Sequence, residues 1–354
     1  MFRRLRALSM LTAVVVGAIG LPRTAAAATL DLDSCSGTGF DVVALWSAIL
    51  DANDETGHPG PDTIRLAPGC TYSLTADLAG TEFTMPPITS AVTIIGRGAT
   101  LSVDVASNCI CDPAGLFDIA AGGDLAISDV TLRNTVGHPD GSVFSNHGSA
   151  LASNIVIDNQ GQGMYGPAIV NRLDASFSLD SSTIENLNTS DLTRGNAIAN
   201  GGSMYVIDSV IRDAGTSLTF EKDAMTSTNR RSVTNTGSLH IMGSSLSVTP
   251  LNHLDDVRWG AGITNSGDLA IERSALTGFR ASIPGAGIFN SGTLTLDAST
   301  LEFNRAIGAS GRGGGLVNDG TATILSSSFV GNSADQEGDG IRNAGLLSVS
   351  WSTF

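Results

Sequence analysis

The stretch Gly287-Ile288-Phe289-Asn290-Ser291-Gly292-Thr293-Leu294-Thr295-Leu296, followed by Ser299, Leu301, Phe303 and Asn304, decides the fold. Its frame returns around Asn146, Asn171, Asn200, Asn235, Asn265, Asn318 and Asn343. With Asn290 in its place, successive marker asparagines lie 25, 29, 35, 30, 25, 28 and 25 residues apart. A repeat of that length is one supersecondary unit that stacks on its neighbours. Within the unit, three short apolar runs alternate with small or polar residues: Ile288, then Leu294 and Leu296, then Leu301 and Phe303. That is the period of a strand with one buried face. Turn residues separate the runs at Asn290-Ser291-Gly292, at Asp297-Ala298-Ser299, and from Asn304 onward. One such coil cannot bury its apolar face, whereas stacked coils share a continuous core. The expected fold is all-β: a right-handed parallel β-helix with three short strands per coil.

The marker asparagine has two structural uses. Asparagine tolerates the left-handed backbone region, and stacked asparagine amides bond along a column. The glycine clusters Gly285-Ala286-Gly287 and Gly313-Gly314-Gly315 precede the first strand of their coils. Gly311-Arg312-Gly313-Gly314-Gly315 lacks the Lys-Ser/Thr of a phosphate-binding loop and opens no helix.

Residues 1–27 read as a secretory signal peptide. Arg3, Arg4 and Arg6 form a basic start, Ala7 to Gly20 is mostly apolar, and Ala25-Ala26-Ala27 supplies a small-residue cleavage pattern. No later segment is apolar enough over a long enough run to span a bilayer. The 354-residue chain carries 19 basic and 34 acidic residues. Loss of Arg3, Arg4, Arg6 and Arg23 leaves 15 basic against 34 acidic, a balance of −19. Such a surface argues against nucleic acid and anionic lipid as partners. The four cysteines, Cys35, Cys70, Cys109 and Cys111, suit disulfides in an exported chain. Three connectivities exist; Cys35–Cys70 with Cys109–Cys111 is preferred, and metal binding by these cysteines is the alternative.

Residues 28–113 differ from the repeats and are expected to cap the solenoid, which then runs over 114–354 with its coils starting near Leu116. Apolar residues at 42, 45, 46 and 49 predict a short amphipathic helix with Asp41 near its N-cap. Asp62–Leu66, Gly69–Leu74 and Ala91–Gly96 read as strands. The last coil stops at Phe354, before its next marker asparagine. The array is therefore expected to be incomplete there, with missing coils or a partner covering the edge.

Four segments carry a resemblance. They are Cys35 with Asp41–Asn53, Asp62–Thr75, Met85–Thr89, and Val92–Thr100. Together they resemble the N-terminal part of bacterial exported β-helix proteins of the CSLREA type. The following coils are similar to the repeats of those proteins and of polymorphic outer-membrane proteins. The eponymous hexapeptide is absent, and the helix reads Val42-Val43-Ala44-Leu45-Trp46-Ser47 instead. The resemblance covers nearly all of the mature chain. It implies a secreted or cell-surface location more than a reaction.

Length variation concentrates after the third strand. The inserts are Val136–Asp140, Asn159–Pro167, Leu187–Arg194, Asp213–Arg231 and Thr249–Trp259, and a fixed coil phase places them on one edge. The densest group of reactive side chains is His253, Asp255, Asp256 and Arg258 beside Trp259. Paired carboxylates suit glycosidic cleavage. The group looks somewhat like the Asp-Asp element of polygalacturonase-like β-helix hydrolases. Their Asn-Thr-Asp, Gly-His-Gly and Arg-Ile-Lys elements are missing, so an ordinary charged loop is the preferred reading. Asp335, Glu337 and Asp339 begin like a Ca²⁺ loop, but the twelfth position is Leu346 where Glu is required. No cofactor is expected otherwise. Glu221, Asp223 and Lys222 fall on the same edge.

The leading expectation is a non-catalytic secreted or surface β-helix, adhesin-like or matrix-associated, whose loops meet a glycan or a cell-surface protein. The alternative is an extracellular polysaccharide lyase or glycoside hydrolase of the pectin-lyase-like type.

Overall fold

A computed structural model describes residues 27–33, 35, 40–74, 85–103, 116–133, 142–158, 167–187, 197–212, 232–248, 261–282 and 284–354. Residues 1–26 of the segment read as a signal peptide, Cys109, Cys111 and most of each insert lie outside these residues. The described chain is a parallel β-helix with a single helix, as the repeat requires.

One coil shows the plan. Ile288–Asn290 lies in a nine-stranded sheet, while Thr293–Asp297 and Thr300–Glu302 lie in a 20-stranded sheet. The pairings between coils are parallel, and from Asp124 onward they run in register; Ile263, Ile288 and Leu316 stack, as do Leu269, Leu294 and Ala322. Alternate residues point inward, so Leu294, Leu296 and Leu301 are fully buried. Phe117, Phe144 and Phe177 continue the core with ring centroids 5.5 and 5.4 Å apart.

Two expectations are corrected. Phe303 is 60% exposed, with φ of 53°, and does not belong to the core. The strand ends at Glu302, and the chain turns there, throwing the ring outward onto Gly331 of the next coil. The left-handed backbone expected at the marker asparagines is also absent from them. It recurs instead at the corner between the two strands of the large sheet, at Asp129, Asn154, Ser181, Asp208, Gly243, Arg273, Ala298, Ser326 and Trp351, and in some coils again after the third strand, at Asn186, Gly278, Phe303 and Gly331. Seven residue types occupy the first of these corners, so its sequence signal is weak.

What selects asparagine is its amide. Each marker Nδ2 donates to the Oδ1 of the next coil's asparagine, from Asn146 through Asn343, at 2.7–2.8 Å. It also donates to a main-chain carbonyl of that coil, such as Thr293 O at 2.9 Å from Asn265. All but Asn343 are buried. Only a side chain with a donor and an acceptor continues such a column. The glycine two residues on, at 237, 267, 292, 320 and 345, sits against the main-chain carbonyl of the preceding coil's glycine, where no Cβ fits.

A second column follows each corner. The main-chain N–H of Ser182, Ser209, Ser244, Ser274, Ser299 and Ser327 donates to the next coil's serine Oγ at 3.0–3.1 Å. Each hydroxyl in turn donates to the carbonyl two residues back, as Ser299 does to Asp297 O at 2.7 Å.

Stacking reaches further toward the N-terminus than Leu116. Thr29–Asp31 pairs with Asp62–Arg65, which pairs with the strand Ala91–Val103. The helix Phe40–Ala52 contains the expected amphipathic run, with Asp41 in its first turn. Val42, Leu45 and Ile49 are fully buried in the core, and Trp46 is partly buried beside them. Asn53 ties the helix end down: its Nδ2 donates to Pro87 O at 2.7 Å and its Oδ1 accepts from Thr89 N at 2.9 Å. Cys35 and Cys70 form a disulfide. Among the described residues no helix is long and apolar enough to cross a membrane. In the final coil Leu346, Trp351 and Phe354 are exposed.

Asn265→Ala removes two donors and one acceptor from a dry column, where each orphaned group costs about 1–3 kcal/mol. Chemical denaturation should show a loss of about 3 kcal/mol, whereas Asn343→Ala at the exposed end should lose less than about 1 kcal/mol. Burial pushes the Tyr72 hydroxyl above the ordinary tyrosine range; the Ala67 N–H it accepts at 3.0 Å opposes this, and Asp41 adds to it. The folded value is the raised one, so this contribution is intact below the unfolded value of about 10 and is lost as pH rises through the folded value. Unfolding curves above pH ~10 should fall more steeply for the wild type than for Tyr72→Phe.

Candidate functional site

The inserts leave the solenoid from one column. Val156–Asp158, Thr183–Glu185, Val210–Arg212 and Ser245–Ser247 stack in register as the third strands of consecutive coils. An insert follows each of them within a few residues. His253, Asp255, Asp256 and Arg258 lie outside the described residues, as do Glu221, Lys222 and Asp223.

Asp335, Glu337 and Asp339 are described, and their carboxylates are engaged separately. Asp335 Oδ2 accepts from Gly308 N at 2.7 Å, and its Oδ1 lies 3.6 Å from Arg305 Nη2. Glu337 faces Arg312 at 3.9 Å, and Asp339 Oδ1 accepts from Ala334 N at 2.8 Å. Among the described residues no three histidine, cysteine or carboxylate groups converge to hold a metal.

The structure draws attention to a different place, the outward face of the large sheet. Outward positions fall five and seven residues after the marker asparagine in most coils. Across the later coils these positions read Ala270 and Glu272, Thr295 and Asp297, Thr323 and Leu325, Ser348 and Ser350. In two adjacent coils both positions are bulky: Tyr205 with Ile207, and His240 with Met242. The four side chains form a block two coils wide, bordered in the same columns by Ser178 and Asp180 below and by Ala270 and Glu272 above.

The block is accessible and internally ordered. Tyr205 is 47% exposed. Its ring packs on His240 with centroids 5.8 Å apart at a 45° tilt. His240 Nε2 bonds Glu272 Oε1 at 3.1 Å across one coil, which sets the imidazole plane. Beside the block, Arg212 Nε donates to Glu185 Oε2 at 2.6 Å. Carboxylates line the rim at Asp180, Asp208 and Glu272, the last 3.8 Å from Arg273. The block thus presents a phenol ring and an imidazole side by side.

Sequence reading passed over these residues because it followed the inward half of each strand. A weak signal existed: among the repeat copies, Met204-Tyr205-Val206-Ile207 and Leu239-His240-Ile241-Met242 are the two in which all four residues are large.

No family model matches the chain, and no curated protein or solved structure does either.

Replacing exposed side chains that touch none of the ladders changes stability by less than about 0.5 kcal/mol. Tyr205→Ser should therefore keep the wild-type thermal midpoint and the half-buried Met242→Ser should lower it only slightly, while Ser274→Val in the serine column should lower it clearly.

Proposed function

We propose that this chain is a non-catalytic exported β-helix of the cell surface or matrix, resembling CSLREA-type and polymorphic outer-membrane-protein repeats, that presents loops along one edge to a binding partner. One observation carries this reading: the strands flanking the inserts stack in strict register while the inserts between them vary. A rigid scaffold with variation confined to one edge is the usual design of a binding surface. The Cys35–Cys70 disulfide supports an oxidising, extracytoplasmic location, as does the basic–apolar–small pattern of residues 1–27. The described acids of the C-terminal coils are engaged one by one with arginines and main-chain N–H groups. A hydrolase or lyase needs several such groups converging on one bond.

The deciding measurement is turnover. Purified protein incubated with pectin, alginate, xylan and chitin should release no reducing ends and no unsaturated uronates. Turnover that disappears in Asp255→Ala or Asp256→Ala would establish the polysaccharide-cleaving alternative in its place.

A further inference from the structure

The proposed scaffold has a surface whose chemistry points to a class of partner. Outward side chains at the two positions that the block occupies are small or singly charged on most coils, with Leu151 and Leu325 as single exceptions. Tyr205, Ile207, His240 and Met242 interrupt that pattern as a two-by-two block. Neighbouring coils stand about 4.8 Å apart, and outward residues on one strand about 6.8 Å apart. The four side chains are therefore contiguous, and the small Ser178 and Ala270 leave a step on either side.

Three features of the block converge. Its composition is that of an interface centre, where tyrosine and methionine are enriched and tyrosine is a frequent hot spot. Tyr205 is held by His240, and His240 by Glu272, so little side-chain freedom remains to be lost on binding. Methionine adapts to an irregular partner surface. The rim carries three carboxylates, Asp180, Asp208 and Glu272, in a chain whose net charge is −15; of the two arginines beside it, Arg212 is paired with Glu185 and Arg273 stands 3.8 Å from Glu272, so the carboxylates outnumber the unpaired cations. Such a field attracts basic partners and repels acidic ones. The block also occupies the two coils with the longest intervals to the next marker asparagine, 35 and 30 residues.

We propose that Tyr205, Ile207, His240 and Met242 dock a polypeptide segment that has an apolar or aromatic anchor flanked by lysine or arginine. This rests on the binding-scaffold reading above and names the partner class for one of its faces. The anchor sits against the Tyr205–Met242 diagonal, and the flanking cations meet Asp180 and Glu272.

The test is selection of a random dodecapeptide phage library on the full chain, with counter-selection on the Tyr205→Ser/Met242→Ser double variant. The expected outcome is enrichment of sequences with an aromatic or aliphatic core and basic flanks. Synthetic versions should bind the double variant at least tenfold more weakly and weaken further as salt is raised. Thr293→Ser/Thr295→Ser, on the same sheet away from the block, should bind as the wild type does. Thermal midpoints of all variants guard against misfolding. Absence of block-dependent enrichment, or enrichment of acidic or uncharged sequences, overturns the proposal. So does a glycan array that gives a Tyr205-dependent signal where the peptides give none. Polysaccharide turnover alongside peptide enrichment would instead overturn only the non-catalytic reading.

Discussion

The amide column from Asn146 to Asn343 is the constraint on which the rest of the structure depends. Each asparagine bonds the next and also bonds the main chain of the next coil, inside a stack that excludes water. A primary amide left unpartnered there would cost far more than a paired one contributes. Slipping one coil against another by a single residue would leave that amide unpartnered and turn every inward side chain outward. The column thus fixes phase, and with it the position of each strand, corner and insert. The serine column does the same work at the opposite corner, with the hydroxyl satisfying one group in its own coil and one in the coil before.

Phase fixed from the inside leaves the outside free. The corner residue accepts aspartate, asparagine, serine, glycine, arginine, alanine and tryptophan, because its side chain points to solvent. Intervals of 25 to 35 residues are accommodated without disturbing the pairing on either side. The same freedom allows a bulky block at Tyr205 and His240 on coils whose inward residues match those of their neighbours. The division between constrained interior and free surface is sharp because it follows the two-residue period of the strand.

Much of this was legible from residues. Asn290, Leu294, Leu296 and Leu301 announce their positions, since inward residues must be apolar or carry the ladder amide. The helix over residues 42–49 follows from local pattern, whereas the cysteines leave three connectivities open and only the fold brings Cys35 onto Cys70. Phe303 misled because an apolar residue at strand period looks buried, and only the place where the chain turns decides otherwise. Ser299 was visible at a fixed offset, but its role depends on a neighbour 28 residues on, Ser327. The left-handed corner was assigned to asparagine on propensity, yet here the ladder claims asparagine and the corner takes whatever is left.

The sequence by itself determined the architecture: a repeat with three inward-facing runs and one amide per coil has few other ways to bury its apolar face and satisfy its polar groups. It also determined which edge carries the inserts, because coil phase is a matter of counting. Tertiary structure alone decided what stands beside what on the outside. Tyr205 and His240 are 35 residues apart in the chain and adjacent on the sheet. Outward side chains have no periodic duty that would mark them in sequence, so their grouping becomes visible only when parallel register brings successive coils within one strand spacing of each other.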